Sequence, residues 1–162
     1  MSKKRRMYIV VEYKGQSYYY GIKMSRDGNA IIHPILMGLD CVHDTDNVCI
    51  EWEIFRAPEK PGFALIMTTR SGCRYSLDGG TASIFLVKTA EHEPGFFGWK
   101  IRGNFLTCTY YDCDQDTFVT LSVNVQICSY FRGEDLVLVK SPMDQAVSVS
   151  LEEFPLFCSS LK

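Results

Sequence analysis

A chain of 162 residues with 46% hydrophobic, 13% aromatic and 22% charged side chains is long enough to bury about two-thirds of the surface its unfolded form exposes. It is too apolar for a disordered or fibrous sequence. Its 17 Lys and Arg nearly balance 19 Asp and Glu, and its longest apolar runs, residues 31–39 and 63–67, fall well short of the roughly 20 residues of a membrane-spanning helix.

The chain begins Met1-Ser2-Lys3-Lys4-Arg5-Arg6, with no apolar stretch of signal-peptide type behind the basic cluster. Residues 1–7 are expected to form a flexible basic tail, residues 8–154 a single domain, and residues 155–162 a C-terminal tail that Pro155 keeps from becoming a helix. Setting the tail's four cations aside leaves 13 Lys and Arg (17 − 4) against 19 Asp and Glu. The body is therefore acidic, which argues against a nucleic-acid reader, since such a protein carries a basic stripe on its folded surface. Seven cysteines, at 41, 49, 73, 108, 113, 128 and 158, are odd in number and lie mostly within strand-like runs. They are expected to be reduced thiols that pack as small hydrophobes. That points to a reducing compartment, the cytoplasm, with the nucleus or non-classical release as alternatives.

Residues 8–13 alternate as a strand, Lys14-Gly15-Gln16-Ser17 turns the chain, and residues 18–24, rich in Tyr, form the hairpin partner. Asp27-Gly28 marks the next turn. A strand over 30–36 follows, with Pro34 placing it at an edge or bulge. After the polar loop 38–47, residues 48–55 put Ile50, Trp52 and Ile54 on one face and Glu51 and Glu53 on the other. The second unit repeats this plan with strands at 63–69, 74–77, 83–88 and 96–101, turning at Asp78-Gly79-Gly80. The third has strands at 105–111, 117–128, 136–139 and 146–151, turning at Arg132-Gly133-Glu134-Asp135. No segment of helical length shows a 3.6-residue period.

Three successive quartets of strands, 8–55, 63–101 and 105–154, predict an all-β fold. One quartet cannot cover its own faces and edges, so the repeat points to a closed, pseudo-symmetric architecture. About twelve strands in three pseudo-repeats are expected to form a β-trefoil, with another closed β-barrel as the alternative. The stretch from Leu65 to Val87, containing Thr68-Thr69-Arg70-Ser71-Gly72 and Asp78-Gly79-Gly80, resembles the strand, strand, turn, strand module of β-trefoil proteins. It is nearest to the middle unit of interleukin-1-type cytokines, and Phe97-Gly98-Trp99-Lys100-Ile101 is similar in placement to that unit's closing strand. The resemblance implies a cytokine-like ligand or an antagonist, released without a conventional signal peptide. It transfers no receptor-contact residue.

Asp112-Cys113-Asp114-Gln115-Asp116 spaces carboxylates as a calcium loop begins, but Thr117 and Val123 stand where such a loop needs Gly and Glu. Asp40-Cys41-Val42-His43-Asp44-Thr45-Asp46 offers one irregular Cys/His pair without the second pair that zinc favours. His33, His43 and His92 have no sequence-local nucleophile. No cofactor, metal or catalytic residue is therefore assigned. The expected activity is protein binding through acidic loops, carried by Asp40, His43, Asp44 and Asp46, by Glu91, His92 and Glu93, and by Asp112, Asp114 and Asp116. A carbohydrate-binding trefoil lectin is one alternative, resting on aromatics such as Tyr18-Tyr19-Tyr20 on alternate strand faces. A small thiol-dependent enzyme is the other.

Overall fold

The computed structural model describes residues 5–24, 33–90, 95–129 and 133–153, and these form an all-β, wholly antiparallel fold. Its strands are β1 (Arg5–Tyr13), β2 (Gln16–Lys23), β3 (Ile35–Gly38), β4 (Val48–Cys49), β5 (Glu51–Arg56), β6 (Phe63–Thr68), β7 (Arg74–Asp78), β8 (Phe85–Lys88), β9 (Trp99–Arg102), β10 (Phe105–Asp112), β11 (Thr117–Cys128), β12 (Asp135–Ser141) and β13 (Ser148–Glu153). Two short 3-10 turns, Leu39–His43 and Met143–Gln145, are the helical segments among the described residues. None of the described helices is long and apolar enough to cross a membrane.

The strands fall into three units, and each sends its first and last strands into a common path. In that path β13 pairs β1, β1 pairs β5, β5 pairs β6, β6 meets β9 and β9 pairs β10. The sequence led us to expect a closed sheet, but the ladder is open: among the described residues β13 pairs with β1 alone. The backbone N–H of Val149 donates to Asn104 O across the gap at 2.8 Å, just outside β10. Of the remaining strands, β2 pairs β3, β7 pairs β8 and β11 pairs β12, while the short β4 pairs the end of β2.

The first hairpin closes more tightly than its sequence suggests. Tyr13 faces Gln16 across a two-residue turn in which Lys14 and Gly15 both have positive φ, 50° and 78°. That is the backbone a hairpin's right-handed twist demands. Gln16 and Ser17 consequently belong to β2. At the other end β1 starts at Arg5, which faces Ile54, while Arg6 faces Glu53. Arg5 and Arg6, assigned from the sequence to the basic tail, are therefore strand residues, and Arg6 also pairs with Glu51 at 3.5 Å.

A single strand over 48–55 was expected, and the structure breaks it at Ile50. Val48 and Cys49 pair with β2, whereas 51–56 pair with β1 and β6. The break also separates the apolar side chains. Trp52 and Ile54 belong to the main core, but Ile50 joins Tyr8, Val10, Ile35 and Met37 in a second cluster. Partly buried Tyr19, Cys41, Val42, Val48 and Val137 pack around that second cluster. β1 is thus apolar on both faces, Ile9 and Val11 toward one cluster and Tyr8 and Val10 toward the other.

Trp52 and Trp99 anchor the first two units in the same way. Each is fully buried, and each indole N–H donates at 2.8 Å to a carbonyl in the unit's second strand, Tyr20 O or Leu77 O. Tyr20 stacks on Trp52, and Phe96 meets Trp99 edge-on. In the third unit the corresponding link is a backbone one, Val147 N–H to Val123 O at 3.0 Å.

Candidate functional site

The β10–β11 hairpin carries the largest exposed apolar side chain of the described residues at its outer end. Cross-strand register sets Tyr111 opposite Phe118 and Thr109 opposite Thr120, so these four share one face. Tyr110, Val119 and Asp112 share the other. Phe118 is 70% exposed and Tyr111 42%. Their rings meet edge-to-face with centroids 5.4 Å apart, an arrangement that the opposed charge of ring edge and ring face favours. The Tyr111 hydroxyl donates to Asp116 Oδ1, which fixes the phenol ring beneath its neighbour. A Thr109–Thr120 hydroxyl bond of 2.8 Å continues the face inward.

The connecting turn is ordered by its own carboxylates. Asp112 Oδ1 accepts the backbone N–H of Asp114 at 2.9 Å and, more weakly, that of Gln115, while the Gln115 amide reaches Asp112 Oδ2 at 3.2 Å. A side-chain acceptor capping its own turn is a common role for Asp. Asp116 takes the left-handed backbone, φ 52°, a conformation Asp tolerates better than most residues. Asp112 and Asp116 are thus engaged inside the turn, and the exposed Asp114 faces outward.

The other two acidic segments are arranged differently. Asp40 and His43 are exposed in the 3-10 turn that begins at Leu39. Asp44 accepts from the Asn47 amide at 2.7 Å, and Asp46 pairs with Arg70. Cys41 is pushed up to about 11 by burial, with Asp40 and Asp44 adding to the effect. Glu91, His92 and Glu93 lie outside the described residues. Among the described residues no hydrogen bond or ion pair links the loop around Asp44 to the turn around Asp114. Nor do any three His, Cys, Asp or Glu side chains gather there as metal ligands would.

Sequence reasoning missed two features. Tyr19 was a candidate for exposure on the face opposite Tyr18 and Tyr20. It does point away from them, but it packs on Tyr8 with ring centroids 4.9 Å apart, against the second cluster. The other feature is Lys140, whose ammonium stands 3.2 Å from the Tyr110 ring centroid and donates to Gly79 O and Thr81 O in the second unit. Burial lowers its pKa, with Cys108, Asp78 and Asp112 opposing. Cys108, fully buried beside it, donates its thiol to Gly79 O at 3.3 Å. Burial drives that thiol up to about 12, with Lys140 opposing and Asp78 reinforcing the rise. Nothing near Lys140 in sequence signals this tie, since its partners lie 61 and 59 residues away. The Tyr111–Phe118 pair was within reach: the Tyr110-Tyr111 doublet must split across the strand, and pairing through the Asp112–Asp116 turn puts Phe118 beside Tyr111.

No protein-family model matches the chain, and no curated protein matches it in sequence.

Proposed function

We propose that this chain is a single-domain β-trefoil that acts by binding a protein partner, with an interleukin-1-like ligand or antagonist as the sharpest form. The trefoil reading draws support from the three-unit pairing path, from the repeated Trp52 and Trp99 anchors and from the Val149–Asn104 hydrogen bond where the path's ends meet. The observation that carries the binding reading is Phe118, left 70% exposed on a paired strand and braced by Tyr111. A rigid, exposed aromatic is costly to leave in water and is the residue type that most often anchors an interface.

Burial raises Cys41, Cys49 and Cys108, which keeps these thiols protonated near neutral pH. A thiol nucleophile needs the opposite shift. Work in a reducing compartment fits the six free cysteines among the described residues.

The test is saturable binding of the reduced protein to a panel of receptor ectodomains, compared with Phe118→Ser. The expected result is one binder whose affinity falls by at least about tenfold in the variant, the scale of an interface anchor. Binding that Phe118→Ser leaves unchanged refutes the assignment of this face. Silence across the panel removes the interleukin-1-like form, and binding to a glycan array in its place favours the lectin alternative.

A further inference from the structure

We infer that the Tyr111–Phe118 face is a receptor for an arginine side chain presented by an extended basic segment of a protein partner. The inference rests on the binding reading above and names the chemistry of the partner. Four rings of the described residues have cations from this chain over them: Lys14 lies over Tyr13, Arg56 over Phe63, Arg74 over Phe55 and Lys140, on the opposite face of the same hairpin, over Tyr110. No described cation stands over Tyr111 or Phe118. Glu51 is paired with Arg6 and Asp46 with Arg70, but no described Lys or Arg pairs with Asp112, Asp114 or Asp116.

The outer end of the hairpin brings together an open aromatic face and an acidic turn in which Asp112, on the opposite face, already feels Lys140, while no described cation pairs with Asp114 or Asp116. Both groups attract positive charge. A ring face draws a cation by its quadrupole, and carboxylates held in one short turn add their fields within a Debye length. Arginine suits this combination better than lysine, because a planar guanidinium stacks on a ring while its edge donates two hydrogen bonds to a carboxylate. Asp114 is the carboxylate with freedom to receive it, since Asp112 and Asp116 already accept within the turn. Tyr111 is preorganised by Asp116, so little ordering is left for binding to cost.

The test uses three short synthetic peptides, alternating Ser with Arg, Lys or Glu, titrated into isotope-labelled full-length protein while backbone amide shifts are followed. The Arg peptide is expected to move the amides of residues 110–119, the Lys peptide to bind several-fold more weakly, and the Glu peptide to leave them in place. Phe118→Ser and Asp114→Asn should each weaken the Arg peptide by about fivefold, with amide shifts elsewhere confirming that both variants fold. Added salt should weaken binding further.

Shifts spread over the whole acidic surface, or equal binding of Arg and Lys peptides that ignores Phe118→Ser, overturn the inference. Receptor binding that depends on Phe118 without any Arg-peptide response also overturns it, while leaving the binding reading intact. An Arg-peptide response at this face, alongside receptor binding indifferent to Phe118, supports the inference and defeats the receptor assignment instead.

Discussion

Replacing Trp52 or Trp99 with Phe should destabilise the fold by similar amounts, because the two indoles perform the same task in successive units. Each substitution removes a 2.8 Å hydrogen bond to a buried carbonyl, Tyr20 O or Leu77 O. An acceptor stranded in that way costs about 1–3 kcal/mol. The smaller ring also leaves a void beneath Tyr20 or Phe96, worth on the order of 1 kcal/mol. The sum, about 2–4 kcal/mol, is a large share of the 5–15 kcal/mol typical of a domain. With a urea slope near 2 kcal/mol/M, the unfolding midpoint should drop by about 1–2 M, followed by far-UV circular dichroism so that loss of an indole does not confuse the signal. A drop well below 1 M in both variants refutes the energetic argument. A large drop in one and none in the other refutes the equivalence of the two units.

Two glycines make a further comparison: a Cβ at Gly21 falls 2.2 Å from the backbone oxygen of Cys49, whereas one at Gly79 meets the Cys108 sulfur at 2.6 Å. Gly21→Ala should therefore be the more damaging, and only the Gly79→Ala defect should be partly rescued by Cys108→Ala, as chemical denaturation of the four proteins will show. Lys14 occupies a left-handed position at φ 50°, so Lys14→Asn should stabilise the first hairpin by about 0.5–1 kcal/mol; an unchanged or lower urea midpoint contradicts this. Cys108 keeps its proton up to about pH 12 in the folded state, while its unfolded thiol ionises from about 9. The unfolded chain then binds fewer protons in that interval, so stability falls as pH rises from about 9. Cys108→Ala should lose less stability than wild type between pH 8 and pH 10, and parallel losses would count against burial as the cause.

The sequence made the local structure of this chain legible, because alternation along strands and Gly-containing turns are decided within a few residues. The hairpins β7–β8 and β10–β11 and the turn of Tyr19 away from Tyr18 and Tyr20 follow from that logic. What lay beyond it was decided by pairing at a distance. Ile50 reads as a continuation of the Trp52 and Ile54 stripe, and only the switch of partner from β2 to β1 and β6 sends it into another cluster. Arg5 and Arg6 read as tail, yet β5 supplies their backbone partners. Alternation leaves open which face of β2 is covered, and on the Tyr19 side it is Tyr8 that covers it. Each difference arises where a segment meets a neighbour chosen by topology.

The same distinction explains why Lys140 and the Phe118 face lead to different conclusions, although both join a cation-attracting ring to nearby acidic groups. Lys140 already occupies its ring and donates to two carbonyls of another unit; its burial lowers its pKa, and its role is to hold the third unit against the second. Across the same hairpin, Tyr111 and Phe118 turn their rings to the opposite face and meet no described cation. Because one face of β10 already shows how this fold satisfies an aromatic ring with a cation from within, the unfilled face beside it is where a cation from outside would bind. Asp114→Asn and Phe118→Ser should weaken that contact while leaving the unfolding free energy from urea titration within about 0.5 kcal/mol of wild type, the range expected for exposed positions. A loss of stability much larger than that would mean the face is structural, and the case for an external arginine would fall with it.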